Sequence, residues 1–493
     1  MRILYLDCDT LRPDHLSCYG YPRDTSPNID EIASQGVRFT NYYASDAPCL
    51  PSRCALMHSL FGILTGVVGH GGTAADLRLE GASRGFASSL ARAPWVKRLQ
   101  DAGYYTVTVS PFAERHGAWW FYNGFCEMIN TGKRGHERAD EVAPYALDWL
   151  ERNARKDNWF LHVNFWDPHT PYRTPVEYGN PFEDVSPPSW HTDEILEKNR
   201  QHYGAHSALD TVGFPWEVSE RIKREGRIPL EIKSQTDYKR WIDGYDTGIH
   251  YMDYYIGQIL ETLDRQGVLD DTAIIVSSDH GENQGELNVY GDHQTADYIT
   301  NRVPLIIRWP GVTPGGVVQD ALLYNIDFAP TLMELVGGEA SREWEGISFL
   351  DAIRGEPFEG REYLVVSQCA WTCQRAVRWR DYICIRTYHE GLRDYPPVML
   401  FDVSMDPHET NDLASSMPHI VNEGLALLEK WTAEKMLHSR YKEDPLWTVI
   451  REGGPFHTRG CAERYCQYLR ENGRELHARD IEIRSSARND GRQ

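Results

Sequence analysis

The sequence predicts an α/β protein: a large mixed, mostly parallel sheet sandwiched by helices, followed by a smaller C-terminal α+β subdomain. Three observations predict it. Short apolar runs alternate with amphipathic helical segments through residue 360, the pattern of βαβ units. One run, Thr272-Ala273-Ile274-Ile275-Val276-Ser277, has no alternation and reads as a strand buried on both faces. Beyond residue 360 the chain turns to closely spaced strand-like runs and one helix.

The elements follow in order. Ile3 to Leu6 is the first strand, and Ser26-Pro27 opens a short helix through Ile29 to Ala33 that Gly36 closes. Trp95 to Ala102 reads as a helix and Tyr105 to Val109 as the strand after it. Ala139 to Ala154 is helical and leads into the strand Trp159 to Phe165. A long amphipathic helix from Tyr238 to Arg265 precedes the apolar strand at 272–277, and Val303 to Ile307 reads as another strand of that parallel kind. Between Pro168 and Thr236 regularity fades into a long excursion over one end of the sheet, as lids and substrate loops do. Glu362–Ser367, Ala376–Trp379, Tyr382–Arg386 and Met399–Val403 read as antiparallel strands and Val421–Met436 as a helix. The expected division is a catalytic domain at 1–360, a subdomain at 361–440, and an extension at 441–493 that wraps the surface or makes a contact.

Composition narrows the function. The chain has 493 residues, 41% hydrophobic and 25% charged, enough to bury a large core. Lys plus Arg number 51 and Asp plus Glu 72, a net charge of −21. That field argues against an electrostatic nucleic-acid binder and against docking on an anionic membrane. No apolar stretch is long enough to span a bilayer, and Met1 to Asp7 is too short an apolar run for a signal peptide. The expected compartment is cytoplasmic. The cysteines are thinly spread without CxxC spacing and are expected to be reduced.

Chemistry collects at strand ends. In open α/β sheets ligands bind outside the carboxyl ends of strands. The first strand ends Asp7-Cys8-Asp9-Thr10, with Asp7 and Asp9 on one face. The strand at 272–277 runs into Ser278-Asp279-His280-Gly281-Glu282. Together these carboxylates make a plausible divalent-cation site. In Cys49-Leu50-Pro51-Ser52-Arg53, Pro51 suits a first helical turn, which leaves Cys49 at the positive end with Arg53 one turn along. Cysteine-dependent phosphatases pair these residue types too, but over a longer loop. Gly81-Ala82-Ser83-Arg84-Gly85 fits a nucleophile-elbow pattern without a strand before it, and Gly69-His70-Gly71-Gly72 fits a nucleotide fingerprint by letters only; both read as turns.

These residues carry a resemblance. Cys49-Leu50-Pro51-Ser52-Arg53 resembles the Cys-x-Pro-x-Arg signature of formylglycine-dependent sulfatases, in the alkaline phosphatase superfamily. Asp9-Thr10-Leu11-Arg12-Pro13-Asp14-His15, Asp167-Pro168-His169-Thr170-Pro171, Asp279-His280-Gly281-Glu282 and Asp406-Pro407-His408-Glu409 match the family's other blocks, in order. The resemblance implies an alkaline phosphatase-like fold and a Cys49 oxidised to formylglycine by a separate formylglycine-generating enzyme. The hydrated aldehyde would attack the sulfur of a small aryl or carbohydrate sulfate, and its second hydroxyl would then expel sulfate. It also implies one divalent metal, calcium first with manganese or magnesium as alternatives, on Asp9, Asp279 and His280, with Asp7, Thr10 or water completing the shell. Arg53 would stabilise the oxyanions.

Departures from the family are equally specific. His280 stands where many relatives use Asn, and an imidazole leaves room for manganese. His169 matches the family's histidine near the leaving oxygen, a natural general acid. The family's Lys-x-His block is missing after Gly103-Tyr104-Tyr105-Thr106, where His116 is the candidate substitute. His293 replaces a second lysine and, as a protonated imidazole, would do part of its work, so that activity falls at alkaline pH. Relatives' Leu-Thr-Gly-Arg is Met57-His58-Ser59-Leu60 here. Trp119-Trp120, Trp166, Trp190 and Trp216 are candidates to stack on a substrate ring. Two rivals stay open: a phosphonate monoester and phosphodiester hydrolase of the same superfamily, and a binding relative with Cys49 unmodified. Expected partners are the small sulfated substrate and the maturation enzyme, with no nucleic acid or membrane; a homo-oligomer stays open, with the C-terminal tail as the contact it would use.

Overall fold

In chain order the main sheet contains β1 (Arg2–Cys8), β2 (Val37–Phe39), β3 (Tyr105–Val109), β4 (Glu127–Ile129), β5 (Trp159–Phe165), β6 (Thr272–Ser277), β7 (Leu305–Arg308) and β8 (Val317–Gln319). They lie side by side as β8-β2-β7-β6-β1-β5-β3-β4. This is a computed structural model, and it describes residues 1–77, 93–218, 227–439 and 441–490. The Gly81–Gly85 pattern lies outside the described residues.

β1, β5 and β6 are buried along almost their whole length because helices cover both faces of the sheet. Leu4 and Leu6 point to one face, where α1 (Pro27–Ser34), α3 (Ala139–Asn153) and α4 (Gln235–Arg265) pack. Ile3 and Tyr5 point to the other, where they meet α2 (Cys49–His58) and the helix Trp95–Asp101. α4 is the longest element. Ser234 caps it by accepting from Asp237 N–H, and Trp241, Ile242, Tyr245, Ile249, Met252, Ile256, Ile259 and Leu263 form its buried stripe at helical spacing. Each such side chain contributes roughly 1.5–3 kcal/mol of burial. Gly248 lets α4 approach closely: a Cβ there would stand 2.7 Å from the Asp167 carbonyl oxygen. α4 thereby fixes the backbone just before His169.

One strand departs from expectation. β7 is antiparallel to both its neighbours, β2 and β6, whereas the other pairings in the sheet are parallel. Leu305 sits opposite Ser277, so residues 278–304 stay at the carboxyl end of β6 and the next strand returns through the sheet. A short apolar run carries no information about its direction.

The second sheet contains β9 (Tyr363–Gln368), β10 (Cys373–Trp379), β11 (Tyr382–His389) and β12 (Val398–Asp402), joined antiparallel and backed by α5 (Pro418–His438). Asp46–Ala47 adds a parallel edge to β9, with Ser367 opposite Asp46. Since Cys49 starts α2 two residues later, the second sheet anchors the signature helix. α6 (Pro445–Arg451), α7 (Ala462–Glu471) and α8 (Glu475–Asp490) follow. Tyr465, Leu469, Ala478 and Ile481 pack against Tyr203, Phe214 and Trp371, so the tail folds back over the excursion. All ten cysteines are free, as composition implied. No helix among the described residues is long and apolar enough to cross a membrane.

Candidate active site

Strand register brings the site together. Asp7 on β1 lies opposite Asn164 on β5 and Ser277 on β6, so the three strands end at one level. Past those ends come Asp9, then Trp166 to His169, then Asp279 and His280.

α2 points into this junction. Its first residue is Cys49, and Arg53 lies one turn along, buried with the other residues of the helix. The Arg53 guanidinium donates from Nε to Asp7 Oδ2 at 3.0 Å, faces Asp9 Oδ2 at 3.0 Å, and bonds Asp279. The rings of Phe112 and Trp166 flank it at 5.1 and 5.5 Å. One cation among three carboxylates leaves a negative surplus. Burial, then Asp279, push the Asp9 carboxyl well above its usual range. Burial would raise Asp7 too, but Arg53 and His162 hold it below the ordinary value.

The donors fit a divalent cation. Asp9, Cys49, Asp279 and His280 each offer a ligand atom, and these atoms lie within 4.8 Å of one another. Both Asp9 carboxylate oxygens are buried without a hydrogen bond, and so is Thr10 Oγ1. Thr10 adopts a positive φ of 59°, which sets its N–H 3.3 Å from Asp279 Oδ1. His280 donates from Nδ1 to the Gly281 carbonyl at 2.9 Å, so its Nε2 lone pair is free and faces Cys49 Sγ at 3.1 Å. Asp7 stands outside this group, committed to Arg53 and to His162 Nε2 at 3.2 Å. Of the candidates to complete the shell, Asp7 is engaged by Arg53 and His162, while Thr10 Oγ1 has no hydrogen-bond partner.

Burial, then Asp9 and Asp279, raise the Cys49 thiol well above the ordinary value, although it sits at the positive end of α2. Two expectations about histidines change. His169 donates from Nδ1 to the Thr170 carbonyl at 2.7 Å, which leaves Nε2 an acceptor in the neutral ring. Burial, Arg115 and Arg173 disfavour the doubly protonated ring that a general acid needs. His293 lies 4.0 Å from the His280 ring and 5.7 Å from that of His169, and its Nε2 is 3.4 Å from Asp292 Oδ1. Burial and these imidazoles outweigh the carboxylate and push His293 well below the usual histidine range, so the protonated form expected from sequence is disfavoured.

A second histidine group lies on the cleft. His116 does reach the site: Cys49, His70 and His116 offer ligand atoms within 4.8 Å of one another. Of the two readings the sequence allows for His70, a turn residue or one that lines the cleft, the geometry favours the second. Its Nδ1 is 3.0 Å from Nε2 of His457, whose ring stacks on Trp371 at 4.5 Å. His457, Arg115 and Asp292 escaped sequence reasoning because no motif surrounds them. The tryptophans offered as substrate platforms are mostly used internally. Trp166 is covered by Arg53 and Arg115, Trp190 stacks on His408 at 4.2 Å, Trp216 lies under Arg464, and only Trp119 is widely exposed, at 60%. Ser59 takes the left-handed cap of α2, with φ 51°, at the position where relatives carry glycine.

Comparison with known proteins agrees with this geometry. The sulfatase family profile matches residues 2–338, and the profile for the C-terminal part of N-sulphoglucosamine sulphohydrolase matches residues 288–430. A choline-sulfatase of Rhizobium meliloti is 26% identical, over 79% of this chain and 78% of that protein. An N-acetylglucosamine-6-O-sulfatase of Bacteroides thetaiotaomicron is 23% identical, over 83% and 82%. A structure solved in complex with its substrate D-glucosamine-2-N,6-O-disulfate superposes with a TM-score of 0.69 at 20% identity, covering 89% of this chain and 98% of that one. A phosphonate monoester hydrolase from Silicibacter pomeroyi gives 0.67 at 18% identity, covering 90% and 96%. With the profile spanning more than half of its length, the chain belongs to the sulfatase family of the alkaline phosphatase superfamily, and so to the sulfuric ester hydrolases.

Proposed function

We propose that this chain hydrolyses sulfate monoesters of small alcohols, aryl or sugar, at the junction of β1, β6 and α2. The observation that carries the reading is the convergence of Asp9, Cys49, Arg53, Asp279 and His280 on one buried point. Residue 49 in its formylglycine form would supply a hydroxyl nucleophile there. A thiolate is the alternative, and burial beside two carboxylates opposes it.

Asp9, Asp279 and His280 would hold one divalent ion, calcium with manganese or magnesium as alternatives. The ion would neutralise the surplus carboxylate charge and polarise sulfate oxygens. Arg53, held on three carboxylates, is preorganised to donate to the developing oxyanion without moving. Burial and the surrounding cations and imidazoles disfavour the protonated forms of His169 and His293. A bound sulfate monoester brings a negative charge against both rings, which favours their protonated forms, so substrate binding itself prepares a proton for the leaving oxygen. Arg115, over Trp166 at 5.2 Å, adds positive potential on that side.

The relatives named above act on choline sulfate and on sulfated amino sugars. The net charge of −21 favours small or cationic alcohols over polyanionic chains. The phosphonate reading keeps support from phosphonate monoester hydrolases of nearly the same fold similarity, with TM-scores of 0.67 and 0.64 against 0.69. Parallel turnover of an aryl sulfate and an aryl phosphonate, on protein whose residue 49 has been checked by mass spectrometry, separates the two. Faster sulfate turnover is expected, and a higher kcat/KM on the phosphonate would transfer the chain to the other branch.

A further inference from the structure

Around Cys49 Sγ three candidate ligand groups meet. One is rich in oxygen (Asp9, Asp279, with His280), and one joins His280 to His293. The third shares only Cys49 with the others and consists of the imidazoles of His70 and His116, whose Nε2 atoms are both buried without a hydrogen-bond partner. The other nitrogen of His70 is engaged by His457 Nε2 at 3.0 Å; the His457 backbone N–H donates to the Ala370 carbonyl at 3.0 Å, and its ring stacks on the face of Trp371. That is the support a metal-bound histidine receives in protein sites, where the second ring nitrogen is tied down and the first is left free.

We infer that the chain with Cys49 unmodified holds a soft divalent cation of the zinc class on Cys49 Sγ, His70 Nε2 and His116 Nε2, separately from the carboxylate site. The inference shares with the proposed function the central place of Cys49 but does not depend on catalysis. Thiolate and imidazole select zinc-like ions over calcium or magnesium. Tetrahedral zinc needs ligand atoms about 3.5 Å apart, so the three donors, now within 4.8 Å of one another, would draw together on binding. Binding balances as one cation gained and one proton released from the Cys49 thiol to solvent, with no change of oxidation state. Conversion of Cys49 removes the sulfur and with it this site. Zinc content therefore reports the unconverted fraction.

The test uses full-length protein made without the converting enzyme, with intact Cys49 confirmed by mass spectrometry. Calcium is kept in excess while zinc, or cobalt as its coloured substitute, is titrated by equilibrium dialysis. The expected result is one zinc per chain, release of one proton, and a thiolate-to-cobalt charge-transfer band. C49S should weaken zinc binding roughly 100-fold and abolish the band, H70N and H116N should each weaken it at least about tenfold, and H457Q about tenfold through His70. D279N should leave it in place. Zinc binding that survives C49S, that is lost with D279N, or that gives no charge-transfer band overturns the inference. None of these readouts depends on sulfatase activity, so the failure of one reading is distinct from failure of the other.

Discussion

Asp7 Oδ2 accepts a hydrogen bond from Arg53 Nε at 3.0 Å and stands in ion-pair contact with its Nη2, so this carboxylate fixes the guanidinium from behind while Asp9 and Asp279 face it from the cleft. The arrangement divides the roles of two acids that lie two residues apart: Asp7 positions, and Asp9 remains available to a cation.

Removing either partner should separate stability from catalysis. D7N is expected to destabilise by about 3 kcal/mol, because a buried cation loses a counter-charge. It should also lower kcat about tenfold as Arg53 drifts. R53A should lower kcat by about 10³. Urea unfolding and steady-state kinetics on the two variants check this. Equal loss of kcat in both would mean that Asp7 does more than position.

Metal dependence should follow the donor set. Chelation should abolish turnover, and restoring one divalent ion per chain should recover it. H280N replaces the nitrogen donor with oxygen and is expected to shift selectivity toward calcium over manganese by about tenfold, read by competition dialysis.

Gly281 keeps the metal-side turn tight. A Cβ there would stand 2.2 Å from the Ile299 carbonyl oxygen, a backbone atom that cannot rotate away. G281A should destabilise by about 1–3 kcal/mol and weaken metal binding by displacing His280. A differential scan and the same dialysis experiment read both effects.

Acid stability should depend on Glu286. Burial would raise its pKa, but Arg12 at 3.0 Å and His408 at 2.9 Å outweigh burial and hold it down at about 2, from an ordinary 4.5. A depressed acid stabilises the fold above its unfolded value, and that contribution is lost as pH falls from about 4.5 towards 2. E286Q should therefore be less stable than wild type by up to about 3 kcal/mol at neutral pH, with the gap closing in acid. Urea midpoints measured across pH test it, and a gap independent of pH would contradict it.

Much of this was legible in the sequence, for physical reasons. β6 declared itself because a strand buried on both faces must be apolar throughout, and α4 because a long one-sided helix repeats its apolar positions every three or four residues. Of the candidate site residues, 9, 279 and 280 were legible at strand ends and 49 and 53 as a short signature opening a helix. What stayed hidden depends on distant contact. His70 and His457 are separated by |i−j| of 387, and neither sits in a patterned segment. The preference of His169 and His293 for the neutral form is set by burial and by Arg115, Arg173 and neighbouring imidazoles, which letters alone do not bring together. The direction of β7 was likewise set by where residues 278–304 run.

The proposed sulfate ester hydrolysis requires a modified residue 49 seated among Asp9, Asp279, His280 and Arg53. The most direct test is turnover of an aryl sulfate by preparations that differ only in the fraction of residue 49 converted to formylglycine, measured by peptide mass spectrometry. Rate should rise in proportion to that fraction and extrapolate to zero for the unconverted chain. Equal turnover by protein that retains the Cys49 thiol would contradict the account.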